Sequence, residues 1–209
     1  MSSKTAGQRR RPAQERAKAT REHILDTAAT LFGERGIPNT STNRIAAEAG
    51  VSIGTVYRYF SDRGVIVEEL LRRLLETIEQ RFTQQVFGLS NQSTLDMITG
   101  ILEVLAEELA TQARLVRALV EGVQFYSSGI PEFEPRLRLL VKVMVIQILG
   151  PGDDHEYDVM TFVLINTCFA AVLRSAALEV DPQARRESIR MTARMITAWT
   201  ESERISNVA

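Results

Sequence analysis

The stretch Thr42–Phe60, TNRIAAEAGVSIGTVYRYF, decides the interpretation of this chain. One helical face in its first half is apolar and consists of Ile45, Ala46 and Ala49. Gly50 can adopt the positive φ that ends a helix, after which Ser52 can cap a second one. The apolar face of that second helix is expected to consist of Val56, Tyr57 and Phe60. The stretch therefore predicts two short helices joined by a tight turn, a helix-turn-helix.

The outward face of the second helix carries a different set of side chains: Ile53, Gly54, Thr55, Arg58 and Tyr59. A solvated helix face would usually carry glutamate and lysine, whereas this one offers hydroxyl groups, a guanidinium and a small residue. Such side chains can donate to phosphates or reach base edges. A glycine-containing corner also occurs in ordinary helical hairpins, so it is this outward face that favours DNA binding.

A longer series of residues at fixed spacing extends on both sides of the turn. The series is Ala28, Phe32, Gly36, Thr40-Ser41-Thr42, Ile45-Ala46, Ala49-Gly50-Val51-Ser52, Gly54-Thr55 and Tyr57-Arg58-Tyr59-Phe60. With this series, the segment from about Arg21 to Leu75 resembles the DNA-binding domain of TetR-family transcriptional regulators. The resemblance stops there, because the remainder of such proteins differs from member to member.

Ten residues are predicted to contact DNA from the outward face and the resemblance together: Thr42, Asn43, Ser52, Ile53, Gly54, Thr55, Tyr57, Arg58, Tyr59 and Arg63. The resemblance implies that Thr42 and Asn43 meet the DNA backbone, where a helix N-terminus also favours a phosphate. Capping alone would equally explain a hydroxyl residue there. Arg63 stands where the family usually has lysine, which keeps the charge for a phosphate contact. Gly64 stands where glutamate is frequent, which leaves open how tightly the next helix begins.

Charge is distributed unevenly along the 209 residues, although the formal net charge is only −1. Residues 1–63 contain 11 Lys and Arg against 6 Asp and Glu, whereas residues 64–209 contain 14 against 20. A basic beginning and an acidic remainder are expected if only the first part touches a polyanion.

Three regions are expected along the chain. Residues 1–20, which include Arg9, Arg10 and Arg11, are interpreted as a flexible basic arm that could follow phosphates, enter a minor groove or remain a solvated tail. Residues 21–81 are expected to form a TetR-type helix-turn-helix DNA-binding domain, with a first helix from about Thr20 to Arg35. Residues 82–209 are expected to form a C-terminal helical domain for effector binding and dimerisation.

The chain beyond the helix-turn-helix is predicted to be helical throughout. The expected spans are Asp62–Phe87, Thr94–Thr111, Gln112–Phe125, Glu132–Leu149, His155–Glu179 and Pro182–Glu203. No stretch shows strand alternation, a phosphate-binding glycine loop, a catalytic triad or metal-ligand spacing. The predicted fold is all-α, with an N-terminal three-helix domain containing the helix-turn-helix and a C-terminal helical ligand-binding and dimerisation domain. No enzymatic activity, cofactor or metal is expected.

The cellular location is expected to be the cytoplasm. The single cysteine, Cys168, cannot form an internal disulfide and lies in an apolar run, so it is interpreted as a core residue, with a redox or nucleophilic role as the alternative. The polar, basic N-terminus lacks the apolar segment of a signal peptide. The longest uncharged run, Val159–Leu173, is short for a bilayer, so no membrane partner is expected.

The last two predicted helices have more apolar surface than one neighbour could cover. On the final helix this surface comprises Ile189, Ala193, Ile196 and Thr200 on one side and Met195 and Trp199 on the adjoining side. The resemblance implies that these helices pair with their copies in a homodimer; a monomer that covers them with its own helices is the alternative. Two recognition helices in successive major grooves would lie about 34–36 Å apart, which implies a palindromic operator in double-stranded DNA.

A pocket for a small-molecule effector is also implied by the resemblance, between the helices from Thr94 to Glu179. Its expected apolar walls are Leu102, Leu105, Leu119, Phe125, Phe133, Leu140, Met144, Phe162 and Phe169. Polar residues that could orient a ligand are Gln124, Tyr126, Gln147, Asn166 and Thr167. An ordinary hydrogen bond explains each of them more simply, so no ligand-binding residue is assigned.

The expectations combine into a homodimeric repressor that a small apolar or amphipathic ligand releases from its operator by tilting the Asp62–Phe87 helix. The alternative is a DNA-binding regulator without a small-molecule effector, which acts as an activator or is controlled by a protein partner. A third class, an enzyme or transport-related helical protein, is disfavoured because no catalytic constellation accompanies the basic helix-turn-helix.

Overall fold

The computed structural model of the chain describes residues 5–88, 93–122, 133–177 and 181–206. These ranges contain nine helices and no strand, which confirms the all-α prediction. The chain divides into two compact units, Met1–Leu71 and Arg72–Ala209, here called unit 1 and unit 2. The division falls inside a long helix, upstream of residue 81, where the sequence placed the domain boundary.

Unit 1 contains three complete helices and the beginning of a fourth. They are α1 (Thr5–Arg35), α2 (Thr42–Glu48), α3 (Ile53–Tyr59) and the first residues of α4 (Arg63–Gly88). Unit 2 contains the rest of α4 and five further helices. These are α5 (Thr94–Thr111), α6 (Ala113–Gly122), α7 (Phe133–Leu149), α8 (Asp154–Ala177) and α9 (Pro182–Ser206).

Helix α1 begins at Thr5, well before the start predicted near Thr20. Residues 5–19, expected as a flexible arm, are therefore helical in the structure. The physical reason is that the run from Ala13 to Ala19, AQERAKA, consists of residues with high helix propensity.

The core of unit 1 consists of apolar side chains from all four of its helices. The side chains with no exposed surface are Ile24, Leu25, Ala28, Phe32, Ile45, Val56 and Ile66. Gly36 and Gly50 adopt φ values of 78° and 64°, which a side chain would strain, and they end α1 and α2 as the sequence predicted. Burial at this spacing fixes which faces of α2 and α3 remain outside.

Helix α8 lies at the centre of unit 2, where it packs against α5, α6, α7 and α9. By length and composition, Asp154–Ala176 is long and apolar enough to cross a membrane, with a mean hydropathy of 1.7. Its contacts with four helices give the apolar side chains a different explanation, since Tyr157, Met160, Leu164 and Val172 are buried within the unit.

Candidate nucleic-acid interface

Hydroxyl side chains cap both helices of the helix-turn-helix. Ser41 caps α2, where its Oγ accepts from the Arg44 amide at 3.3 Å. Ser52 caps α3, as predicted, with its Oγ 3.0 Å from the Thr55 amide. The nearby Thr40 side chain turns inward and donates to the Gly36 carbonyl at 2.9 Å. Each of the two helices therefore has one of its first backbone N–H groups satisfied by its own capping side chain.

The outward surface of α3 contains most of the predicted contact residues. Ser52, Gly54, Tyr57 and Arg58 are exposed, while Ile53, Thr55 and Tyr59 are half-buried. On α2, Asn43 is exposed and Thr42 is half-buried. Val56 and Phe60 lie in the core, so the structure separates the two faces largely as the sequence predicted.

Tyr57 departs from the prediction that it belongs to the apolar face of α3. Its side chain is 52% exposed, and its hydroxyl lies 3.3 Å from the hydroxyl of Thr42. The reason is geometric: one residue is a rotation of about 100°, so Tyr57 follows the buried Val56 out to the surface. The ring links α3 to the beginning of α2 across the candidate interface.

The remaining polar groups of α3 are also held by neighbours. The hydroxyls of Ser52 and Thr55 are hydrogen-bonded at 2.9 Å. The guanidinium carbon of Arg58 lies 5.2 Å from the centre of the Tyr59 ring, the geometry of a cation–π contact. Hydroxyl groups and a stacked guanidinium on one exposed helix are donors that can meet phosphates and base edges.

Arg63 takes a role that the sequence did not indicate. Its Nη1 donates to the carbonyl oxygens of Ile37, Pro38 and Thr40, at 3.0, 3.1 and 3.3 Å. The guanidinium therefore fastens the loop that leads into α2. The arginine in place of the family's usual lysine could have indicated this role. A guanidinium can donate to carbonyls with one nitrogen and keep its other N–H groups for a second partner.

The beginning of α4 is tight, despite Gly64. Asp62 caps the helix by accepting hydrogen bonds from the Val65 amide at 3.1 Å and the Ser61 hydroxyl at 3.2 Å, and these bonds lower the pKa of its carboxyl group. A Cβ at Gly64 would lie only 3.0 Å from Asp62 Oδ1. Glycine at this position therefore makes room for the cap.

Two residues of α1 that were not assigned to the site brace it from behind. Arg21 forms an ion pair with Glu69 at 2.7 Å, and its guanidinium carbon lies 5.4 Å from the centre of the Phe60 ring. His23 Nε2 donates to the Ala49 carbonyl at 3.1 Å, at the end of α2. Both contacts hold the turn between α2 and α3, and the ends of these two helices, against α1. Their separation in sequence, 26 residues for His23 and Ala49, hid them from pattern reading.

Residues 24–70 match the family described as bacterial regulatory proteins, tetR family. The matched segment contains the turn, both caps and the exposed face of α3. This segment is therefore similar to the DNA-binding domain of TetR-family transcriptional regulators. The chain carries the DNA-binding helix-turn-helix of such regulators, and most of its relatives are named as transcriptional regulators.

Individual proteins match different shares of this chain. The HTH-type transcriptional repressor KstR2 of Rhodococcus jostii is 37% identical over 79 residues, which are 37% of this chain and 39% of that protein. The nucleoid occlusion factor SlmA of Pasteurella multocida is 26% identical over 197 residues, covering 88% of this chain and 98% of that protein. The match to KstR2 thus spans well under half of its length.

Two crystal structures share the fold over both units. A TetR-family transcriptional regulator from Streptomyces coelicolor has a TM-score of 0.67 at 16% identity and covers 91% of this chain and 83% of that one. A transcriptional regulator from Aquifex aeolicus has a TM-score of 0.62 at 18% identity and covers 85% of this chain and 99% of that one. At these identities the likeness concerns the fold alone.

Proposed function

We propose that this protein is a homodimeric repressor that binds a palindromic operator and is released from it by a small ligand bound in unit 2. The observation that carries the DNA-binding part is the exposed α3 surface, where hydroxyls and Arg58 replace the usual solvated charges. Contacts are proposed for the ten predicted residues. The Nη1 group of Arg63 already donates to the loop carbonyls, so the proposed phosphate contact is made by the other N–H groups of its guanidinium.

The dimer is supported by exposed apolar side chains on the last two helices. On α8, Val159, Phe162 and Val163 are 51%, 55% and 43% exposed and share one face by their spacing. On α9, Met191 and Met195 are 63% and 55% exposed. Apolar side chains grouped in this way on neighbouring helices are typical of a surface that another chain covers.

The structure assigns the two sides of α9 more sharply than the sequence did. Ile189, Ala193, Ile196 and Thr200 are buried within unit 2. The surface available to a partner is therefore the side that carries Met191 and Met195. Pairing of α8 and α9 with their copies would hold two α3 helices at one separation, and a palindrome with half-sites about 34–36 Å apart follows.

A cavity of about 80 Å³ in unit 2 is the proposed ligand site. Side chains of α4, α5, α7, α8 and α9 line it, among them the predicted Leu102, Leu105, Met144 and Phe169. Leu119 lines a much smaller neighbouring space with Phe169, and Leu140 is absent from both linings. Phe162, expected in the wall, is exposed instead. The predicted positions Gln124, Phe125 and Tyr126, and the side chain of Phe133, lie outside the described residues.

Helix α4 contains residues of both proposed sites. It begins at Arg63, a proposed DNA contact, and contains Ile78 and Phe82, which line the cavity. A ligand that shifts this helix would change the separation of the two reading helices in a dimer. A coupling free energy of about 1–3 kcal/mol would suffice for a useful switch.

A regulator without a small-molecule effector is the second candidate. It is favoured by the similarity to SlmA along 88% of this chain, because that relative is named as a nucleoid occlusion factor rather than as a repressor. Such a protein would bind palindromic DNA equally well. Control would then come from a protein partner.

Selection of bound fragments from the source genome tests the proposal, followed by operator titrations with compounds related to the neighbouring genes. We expect a palindromic site, binding that weakens steeply with salt, and one compound class that lowers the affinity. Indifference to duplexes of every sequence at low salt would contradict DNA binding. Operator binding that no compound changes would favour the second candidate.

A further inference from the structure

We propose that the cavity of unit 2 accepts an uncharged ligand: a hydrocarbon body that carries at most a neutral hydrogen-bonding group such as a hydroxyl or carbonyl. The proposal rests on the cavity being the effector site, as proposed above, and narrows the apolar or amphipathic class to neutral molecules. It excludes carboxylates, phosphates, sulfonates and ammonium compounds whose charge would enter the cavity.

The lining contains no group that could compensate a charge. Every lining side chain among the described residues is aliphatic or aromatic, except for the thioether of Met144 and the thiol of Cys168. Burial raises the pKa of that thiol to about 12, so it is uncharged at physiological pH. An ion that leaves water for such surroundings loses its hydration and gains no partner, which costs far more than apolar contact returns.

Three cations on the helices that line the cavity form ion pairs within unit 2. Arg81 of α4 pairs with Glu108 at 3.2 Å, and Arg190 of α9 pairs with Glu103 at 3.4 Å. Lys142 of α7 lies 2.7 Å from Asp158 and 2.8 Å from Asp154. Recruiting any of these side chains to an anionic ligand would first break an ion pair within unit 2.

One buried polar atom of α8 lies a helical turn before the residues that line the cavity and could hold a neutral group. Thr161 is completely buried on α8, and its Oγ1 has no hydrogen-bond partner among the described residues. It precedes the lining residues Leu164, Ile165 and Cys168 by three, four and seven positions, so it continues their face of α8 by one turn. A buried hydroxyl without a partner carries an unmet desolvation cost, which a ligand hydroxyl or carbonyl would relieve.

The charge preference can be measured with two probes that share one ring system. Fluorobenzene is neutral and close in size to the cavity, and 4-fluorobenzoate adds a carboxylate. In ¹⁹F NMR titrations of the full-length protein we expect the neutral probe to bind at least about tenfold more tightly. Leu105→Trp should fill the cavity and abolish binding, whereas Ile146→Trp, at an exposed site on α7, should leave it unchanged. Equal or tighter binding of the carboxylate at the Leu105-sensitive site would overturn the neutral-ligand proposal.

The role of Thr161 can be tested by competition against the neutral probe. We expect 1-butanol, which is close in size to the cavity, to compete and butanoate to compete at least about tenfold less well. Thr161→Val should weaken butanol binding several-fold, leave the neutral probe unaffected and raise the melting temperature, because an unpaired buried hydroxyl is removed. The matched control is Thr197→Val, whose hydroxyl is also buried without a partner. Butanol binding that is unchanged in Thr161→Val, or equally weakened in Thr197→Val, would overturn the assignment.

Operator affinity measured in the same samples separates this proposal from the proposed function. Neutral-probe binding that leaves operator affinity intact would support the ligand class and contradict ligand-induced release. Failure of both probes to bind a protein that still recognises its operator would overturn the ligand class and leave DNA binding standing.

Discussion

Units 1 and 2 present their candidate functions in opposite ways. Unit 1 displays hydroxyls and Arg58 on the exposed face of α3, whereas the cavity of unit 2 is lined by apolar side chains. A helix that enters a DNA groove meets a partner of fixed geometry, so particular residue types are needed at particular positions. A cavity for an apolar molecule can be built from many combinations of Leu, Ile, Val and Phe. Function is therefore easier to read from the sequence in unit 1 than in unit 2.

The largest expected effect concerns the outer surface of unit 2. Phe162→Glu places a charge in the apolar face of α8 and should convert the proposed dimer to a monomer. Operator affinity should then fall about 100-fold or more, because the second half-site is no longer bound intramolecularly. Sedimentation equilibrium and DNA titration measure the two effects. Leu139→Glu, at a 64% exposed site on α7, is the matched control and should change neither. A dimeric Phe162→Glu protein would place the interface elsewhere.

The next effect concerns the exposed face of unit 1. Arg58→Ala should cost about 1–3 kcal/mol of specific binding and relax base preference if the guanidinium reads a base edge. Affinity measured across single-base variants of the operator would reveal the position that is read. Arg35→Ala, at the exposed end of α1, serves as the control for loss of one positive charge. Unchanged preference and affinity in Arg58→Ala would show that the reading face is wrongly assigned.

Substitution of Arg63 tests whether this residue contacts DNA directly or only positions the loop before α2. Arg63→Ala should weaken binding to all sequences alike and reduce the slope of log affinity against log salt by about 0.9, the value for one phosphate contact. Loss of three carbonyl contacts should also lower the melting temperature of the free protein. Weaker binding with an unchanged salt slope would mean that Arg63 acts only through the loop before α2.

The smallest expected effect is the pH dependence of the Asp62 cap. Hydrogen bonds from the Val65 amide and the Ser61 hydroxyl lower the folded-state pKa of this carboxyl group below its ordinary value of 3.8. Its contribution to stability is therefore complete above the unfolded-state pKa and is lost as the pH falls through the lower folded-state value. Melting temperatures of the wild type and Asp62→Asn should differ at neutral pH and converge in acid. A constant difference at every pH would contradict this role.

Features that depend on local contacts were predicted correctly from the sequence. Gly50 and the Ser52 cap act within one turn of helix, and both were found as predicted. The predictions were wrong or incomplete where a contact joins distant segments, or where the burial of a side chain depends on which helices cover it. The Arg63 contacts with the loop before α2 join residues more than twenty positions apart, and the exposure of Tyr57 and Phe162 depends on which helices cover their neighbours. The helical start of α1 at Thr5 was not predicted.

By itself, the sequence determined that this protein is all helical, where the reading helix begins and ends, and which family its N-terminal unit resembles. These properties follow from periodicity, caps and glycine, which act over a few residues. Only the tertiary structure decided which side of α9 is internal and that the cavity lining is wholly apolar. The reason is that burial belongs to an assembly of helices: one apolar stripe serves equally as core, cavity wall or partner surface until its neighbours are in place.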